Sequence, residues 1–86
     1  MRVLIPNPLR SYTADVALVS AQGRTLDELA TDLDRQYPGL RFRIIDEQGA
    51  VRPHIKLFVN RLQKRNLREA LSEGDEVMIV CALSGG

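Results

Sequence analysis

The sequence predicts an α+β domain: a mixed sheet covered on one face by a single main helix. Three observations predict it. Apolar, β-branched runs open and close the chain, at residues 2–5 and 76–81. A third alternating run lies at 54–60. Only one long stretch, residues 26–37, carries helical spacing, and one helix covers only one face of a sheet.

Taken in order, Arg2-Val3-Leu4-Ile5 reads as a strand that Pro6-Asn7-Pro8 ends, because proline removes backbone donors. Residues 15–19 read as its hairpin partner across a loop, and Ser20-Ala21-Gln22-Gly23 as a turn. Thr25-Leu26-Asp27-Glu28 fits a capping box, with Thr25 as N-cap and Glu28 reaching back. Leu26, Leu29, Ala30, Leu33 and Tyr37 then form one apolar stripe, which Pro38-Gly39 stops. Residues 40–46 read as irregular or weakly extended, and 46–49 as a turn. The strand at 54–60 follows, then a polar loop at 60–66 and one helical turn at 67–71. Ser72-Glu73-Gly74-Asp75 turns the chain into the last strand. With the first and last strands central, this order is the β-grasp arrangement, as in ubiquitin.

Composition narrows the function. The chain has 86 residues, enough for one small domain, and 44% of them are hydrophobic, so a core forms without staples. A formal net charge of +1 argues against a nucleic-acid-binding module. The cluster Arg61, Lys64, Arg65 and Arg68 reads as a solvated face. No segment has the apolar length of a membrane span or a signal peptide, so a cytoplasmic domain is expected. Enzyme constellations are scarce. His54 and Cys81 are the only histidine and cysteine, and Cys81 lies in an apolar strand, where cysteine packs as a small hydrophobe. No metal site is expected, since structural zinc takes four Cys or His ligands.

Two features carry functional information. The first is the end, Ala82-Leu83-Ser84-Gly85-Gly86. Glycine has no Cβ and threads a channel that other residues block, which leaves the α-carboxylate of Gly86 as the accessible reactive group. The second is strand alternation. Val77, Ile79 and Cys81 point one way, and Met78, Val80 and Ala82 the other. If the helix covers Val3, Ile5, Leu57 and Val59, then Leu4, Phe58, Met78 and Val80 form an exposed apolar patch, and such patches mark protein interfaces. The competing arrangement covers that face with the insertion at residues 40–52.

Phe58-Val59-Asn60, Leu71-Ser72-Glu73-Gly74-Asp75-Glu76-Val77 and the Ala82-Leu83-Ser84-Gly85-Gly86 end resemble the ubiquitin-like sulfur-carrier family of MoaD/ThiS type. That family includes the small subunit of molybdopterin synthase, the thiamine-pathway carrier, and the carriers of cysteine and thioquinolobactin-type biosynthesis. The insertion at residues 40–52 resembles the molybdopterin and cysteine types more than the shorter thiamine carriers. At Cys81-Ala82-Leu83 the chain lacks the proline with which many molybdopterin carriers approach the tail. The resemblance implies one domain, residues 1–86, with a flexible tail at 82–86. It also implies a carrier rather than an enzyme.

On that resemblance, an ATP- and magnesium-using adenylyltransferase, similar to ubiquitin-activating enzymes, adenylates Gly86. A persulfide donor or sulfurtransferase converts it to a thiocarboxylate, and a synthase accepts the sulfur. Gly85 passes the partner's tunnel, Leu4, Phe58, Met78 and Val80 dock, and Ala82, Leu83 and Ser84 enter the partner's site. The carrier itself is expected to hold no cofactor, nucleic acid or membrane, and no protease is expected to be needed to expose Gly86. Two other classes share these residues: a ubiquitin-like modifier joined to lysines through Gly86, and a β-grasp interaction module that makes no use of the tail.

Overall fold

A computed structural model describes residues 1–82; the expectations for Leu83, Ser84, Gly85 and Gly86 lie outside the described residues. The elements are β1 (Arg2–Leu4), a 3-10 helix (Asn7–Thr13), β2 (Leu18–Ser20), α1 (Leu26–Gln36), α2 (Leu40–Ile44), β3 (Ile55–Val59), β4 (Leu62–Lys64) and β5 (Glu76–Cys81). The sheet order is β2-β1-β5-β3-β4, with β1 parallel to β5 and the other pairs antiparallel. The expected α+β, β-grasp arrangement is therefore present, with the first and last strands inside the sheet.

Helix α1 forms where the capping box places it. Thr25 is extended, and its Oγ1 accepts from the Glu28 N–H at 3.2 Å. The Glu28 carboxylate reaches one residue further back than expected, accepting from the Arg24 N–H at 3.0 Å. The buried stripe Leu26, Leu29, Ala30 and Leu33 lies on Val3, Ile5, Leu57, Val59, Val77 and Ile79 in one core. Gly23 is not the turn glycine expected. A Cβ there would stand 2.5 Å from the Leu29 backbone nitrogen, so glycine lets the chain pass directly against the helix.

Several segments differ from the sequence reading, beginning with the second strand, which is Leu18–Ser20 rather than residues 15–19 and takes in Ser20 of the expected turn. Residues 40–44 are helical, not extended. Leu-Arg-Phe-Arg-Ile alternates like a strand, but Leu40 and Ile44 are buried four residues apart while Phe42 is 54% exposed. The start of this helix is held by Asp34, whose Oδ1 accepts from the Gly39 and Arg41 N–H groups at 3.0 and 3.2 Å. The polar stretch after β3 is a hairpin. Asn60 and Arg61 both have positive φ, 50° and 73°, the geometry of a two-residue type I′ turn, and β4 pairs back on β3. Residues 67–71 form no helical turn. Asn66 Oδ1 accepts from the Arg68 N–H at 2.9 Å, and the chain then runs beside the start of α1. There the Glu69 and Leu67 carbonyls accept from the Leu26 and Asp27 N–H groups, so this segment satisfies backbone donors that a helix start leaves open. The link between β1 and β2 is likewise more ordered than a loop: Leu9 and Thr13 are buried. Thr13 Oγ1 donates to the Val16 carbonyl at 2.8 Å.

Leu29 is 2% exposed at the centre of the helix stripe. Leu29→Ala is expected to lower unfolding free energy by about 2–5 kcal/mol. Urea denaturation checks this, and a midpoint within experimental scatter of the parent contradicts the packing.

Candidate docking face and reactive tail

The insertion decides which face of the sheet is bare. Leu40, Ile44 and Ile45 are at most 1% exposed and belong to the same core as α1. Residues 40–52 therefore add to the helix layer instead of covering the opposite face. Arg41 ties the two helices together through an ion pair with Asp27.

On the opposite face, register places Leu4 beside Met78 and Met78 beside Phe58. Their side chains form one row across β1, β5 and β3, and all three are half-buried. The row continues to Leu18 on β2, which pairs with Leu4 and is 40% exposed, and to Gln63 on β4 opposite Phe58. Val80 stands one step along β5, paired with Lys56. The four patch residues are thus brought together as the alternation predicts. Leu18 is the member the sequence reading missed. Its signal is the same alternation, since Val19 beside it is core.

β5 carries this row toward the end of the chain. Asn60 and Asp75 clamp its start. The Asn60 side-chain amide donates to Asp75 Oδ1 at 2.8 Å, and Asn60 Oδ1 accepts from the Glu76 N–H at 3.0 Å. The Ser72 N–H, and after it the Asn60 amide, hold the Asp75 carboxyl below the usual carboxylate range. At the other end, the Ala82 N–H donates to the His54 carbonyl at 2.7 Å, so pairing with β3 persists to Ala82. The four residues beyond span at most about 13–14 Å when extended. Leu83, Ser84, Gly85 and Gly86, all sequence-predicted site residues, lie outside the described residues.

The other candidates do not assemble into a reactive centre. Cys81 is half-buried and packs against the core. Burial pushes its thiol upward, with the Arg43 charge opposing, so at neutral pH the thiol keeps its proton and is a poor nucleophile. His54 is exposed. In the basic cluster, Lys64 pairs with Glu69 at 3.1 Å and Arg61 occupies the hairpin turn. No helix among the described residues is long and apolar enough to cross a membrane.

The profile of the ThiS family matches residues 3–86. A curated relative, "Sulfur carrier protein CysO" of Mycobacterium tuberculosis, is 35% identical over 89 residues, covering 98% of this chain and 96% of the relative. The crystal structure of Mycobacterium tuberculosis CysO superposes with a TM-score of 0.89 at 32% identity, covering 95% of this chain and 98% of that one. CysO in the Amycolatopsis orientalis BexX/CysO complex superposes with a TM-score of 0.90 at 28% identity, covering 99% and 98%. Since that family profile matches from residue 3 to residue 86, the chain belongs to the ThiS family.

Proposed function

We propose that this protein is a sulfur carrier whose Gly86 α-carboxylate is adenylated and then converted to a thiocarboxylate. The observation that carries this reading is a sequence that runs to Gly85-Gly86 a few residues after β5, the strand that gives Met78 and Val80 to the apolar row. Full-length likeness to CysO, named a sulfur carrier, supports it.

The chemistry follows from the weakness of a carboxylate as an electrophile. An adenylyltransferase resembling ubiquitin-activating enzymes joins the carboxylate to AMP from ATP, with magnesium, and releases pyrophosphate. A persulfide sulfur then attacks the carbonyl and AMP leaves. A second thiol reduces the acyl disulfide so formed and frees the thiocarboxylate. A synthase accepts the sulfur, and likeness to CysO favours one of the cysteine or thioquinolobactin type over a molybdopterin synthase. The carrier contributes the reactive end and the docking face, and its partners contribute the catalytic groups and bind ATP and magnesium. The cytoplasm, where ATP is abundant, is the proposed compartment. Leu4, Phe58, Met78 and Val80 dock on the partner, and Ala82, Leu83 and Ser84 lead Gly85 and Gly86 into its site. The complex in which CysO is held by BexX supports a carrier that works by docking.

Phe58 is half-buried at the middle of the row, on the face away from the core. Phe58→Ala is expected to weaken adenylyltransferase binding by about 2 kcal/mol, as aromatic anchors do, with the melting temperature little changed. Calorimetry checks this: unchanged affinity contradicts the docking role, and an unfolded variant places Phe58 in the core instead.

Incubation with the adenylyltransferase, ATP and a persulfide donor is expected to raise the intact mass by about 16 Da, close to the gain from cysteine oxidation, so the gain must survive in Cys81→Ala. One alanine added after Gly86 shifts the carboxylate by roughly 3.3–3.6 Å and is expected to abolish the gain, since errors of ~1 Å cost about a hundredfold in rate. No gain with an active partner, or a gain lost in Cys81→Ala, overturns the sulfur-carrier reading.

A further inference from the structure

The helix layer stops short of the β4 edge. Between the turn at residues 49–53 and the segment 63–68 lies a groove of about 550 Å³. Its floor is apolar, formed by Val51, Ile55, Leu57 and Leu67. Its rim carries Arg52, Lys64, Arg65 and Arg68, and no Asp or Glu lines it among the described residues; the Lys56 side chain alternates to the opposite face with Phe58. In a chain with 12 Lys and Arg against 11 Asp and Glu, four cations on one groove whose lining holds no carboxylate is a marked segregation.

Part of that charge is used internally. Lys64 pairs with Glu69, and Arg52 donates to the Phe42 carbonyl at 2.6 Å and stacks on the Phe42 ring. Arg65 and Arg68 are exposed and make no ion pair among the described residues. Like charges gathered without partners repel, which favours an anionic occupant.

One connection ties the groove to the base of the tail. Arg52 lines a second, smaller hollow with Phe42, Arg43 and His54, and the His54 carbonyl holds Ala82. The groove opens on the helix side of the sheet and the apolar row on the other, so one partner meets both by wrapping the β4 edge beside the Arg52–His54 hollow. An apolar centre with a charged rim is the usual composition of an interface.

We infer that the groove receives an acidic segment of the adenylyltransferase, with an apolar side chain of that segment on the Val51–Leu67 floor. The inference rests on the sulfur-carrier reading. A nucleic acid fits less well, because the floor is aliphatic and the whole chain is nearly neutral.

Rim charges act mainly on the association rate and its salt dependence. The test is stopped-flow association of the full chain with the adenylyltransferase, for the parent and Arg65→Glu/Arg68→Glu. Both arginines are exposed, so the double variant is expected to keep the parent's melting temperature. Its association rate is expected to fall about tenfold or more at low salt and to approach the parent's near 1 M salt, where charges are screened beyond about 3 Å. Arg65→Lys/Arg68→Lys is expected to keep most of the rate. If the parent gains sulfur but the charge-reversed variant associates as the parent does at every salt concentration, the groove inference alone falls. If that variant instead loses only binding to a single-stranded oligonucleotide, the groove is a nucleic-acid site and the inference is overturned. If the parent gains no sulfur under the conditions above, the carrier reading falls first.

Discussion

Strand β5 is paired on both edges, parallel to β1 and antiparallel to β3, and the proposed docking row depends on that double pairing. A strand held on both sides cannot slip by one residue without turning Val77 and Ile79 out of the core and Met78 and Val80 into it. Register therefore fixes which side chains face outward, and it fixes where Ala82 leaves the sheet. The Asn60–Asp75 clamp holds β5 at one end and the Ala82–His54 hydrogen bond holds it at the other.

The helix layer explains why the far face is free. α1 and α2 share one core on one side of the sheet, joined by the Asp27–Arg41 pair and by the Asp34 side chain. Segment 67–71 closes the start of α1 with its carbonyls, so it too is committed to the helix side. Nothing among the described residues crosses to the other face, and Leu18, Leu4, Met78 and Phe58 keep part of their surface.

The elements legible in the sequence are those whose local chemistry and tertiary position agree. The capping box, the Leu29–Leu33 stripe and the alternation in β3 and β5 are of this kind. The misread segments are those where position overrides pattern. Residues 40–44 alternate like a strand, yet Leu40 and Ile44 enter the core only as successive turns of a helix. β4 is a polar edge strand made visible by its turn, and Arg61 stands where glycine usually signals that turn. Residues 67–71 have good helix formers, but their backbone is recruited by α1. For the candidate site, four patch residues were readable because alternation alone decides their face. The cationic groove was not, since it joins residues 49–57 to 63–68 and only the β3–β4 hairpin brings them together.

The account's central claim is that the bare sheet face and the tail are used together by one partner. Amide shift mapping of the ¹⁵N-labelled chain, titrated with the adenylyltransferase without ATP, tests it most directly. The account predicts perturbations and broadening at Leu4, Leu18, Phe58, Met78 and Val80 together with Ser84, Gly85 and Gly86, and little change along the exposed side of α1. Perturbations confined to the tail, or centred on α1 with the sheet row silent, would contradict it.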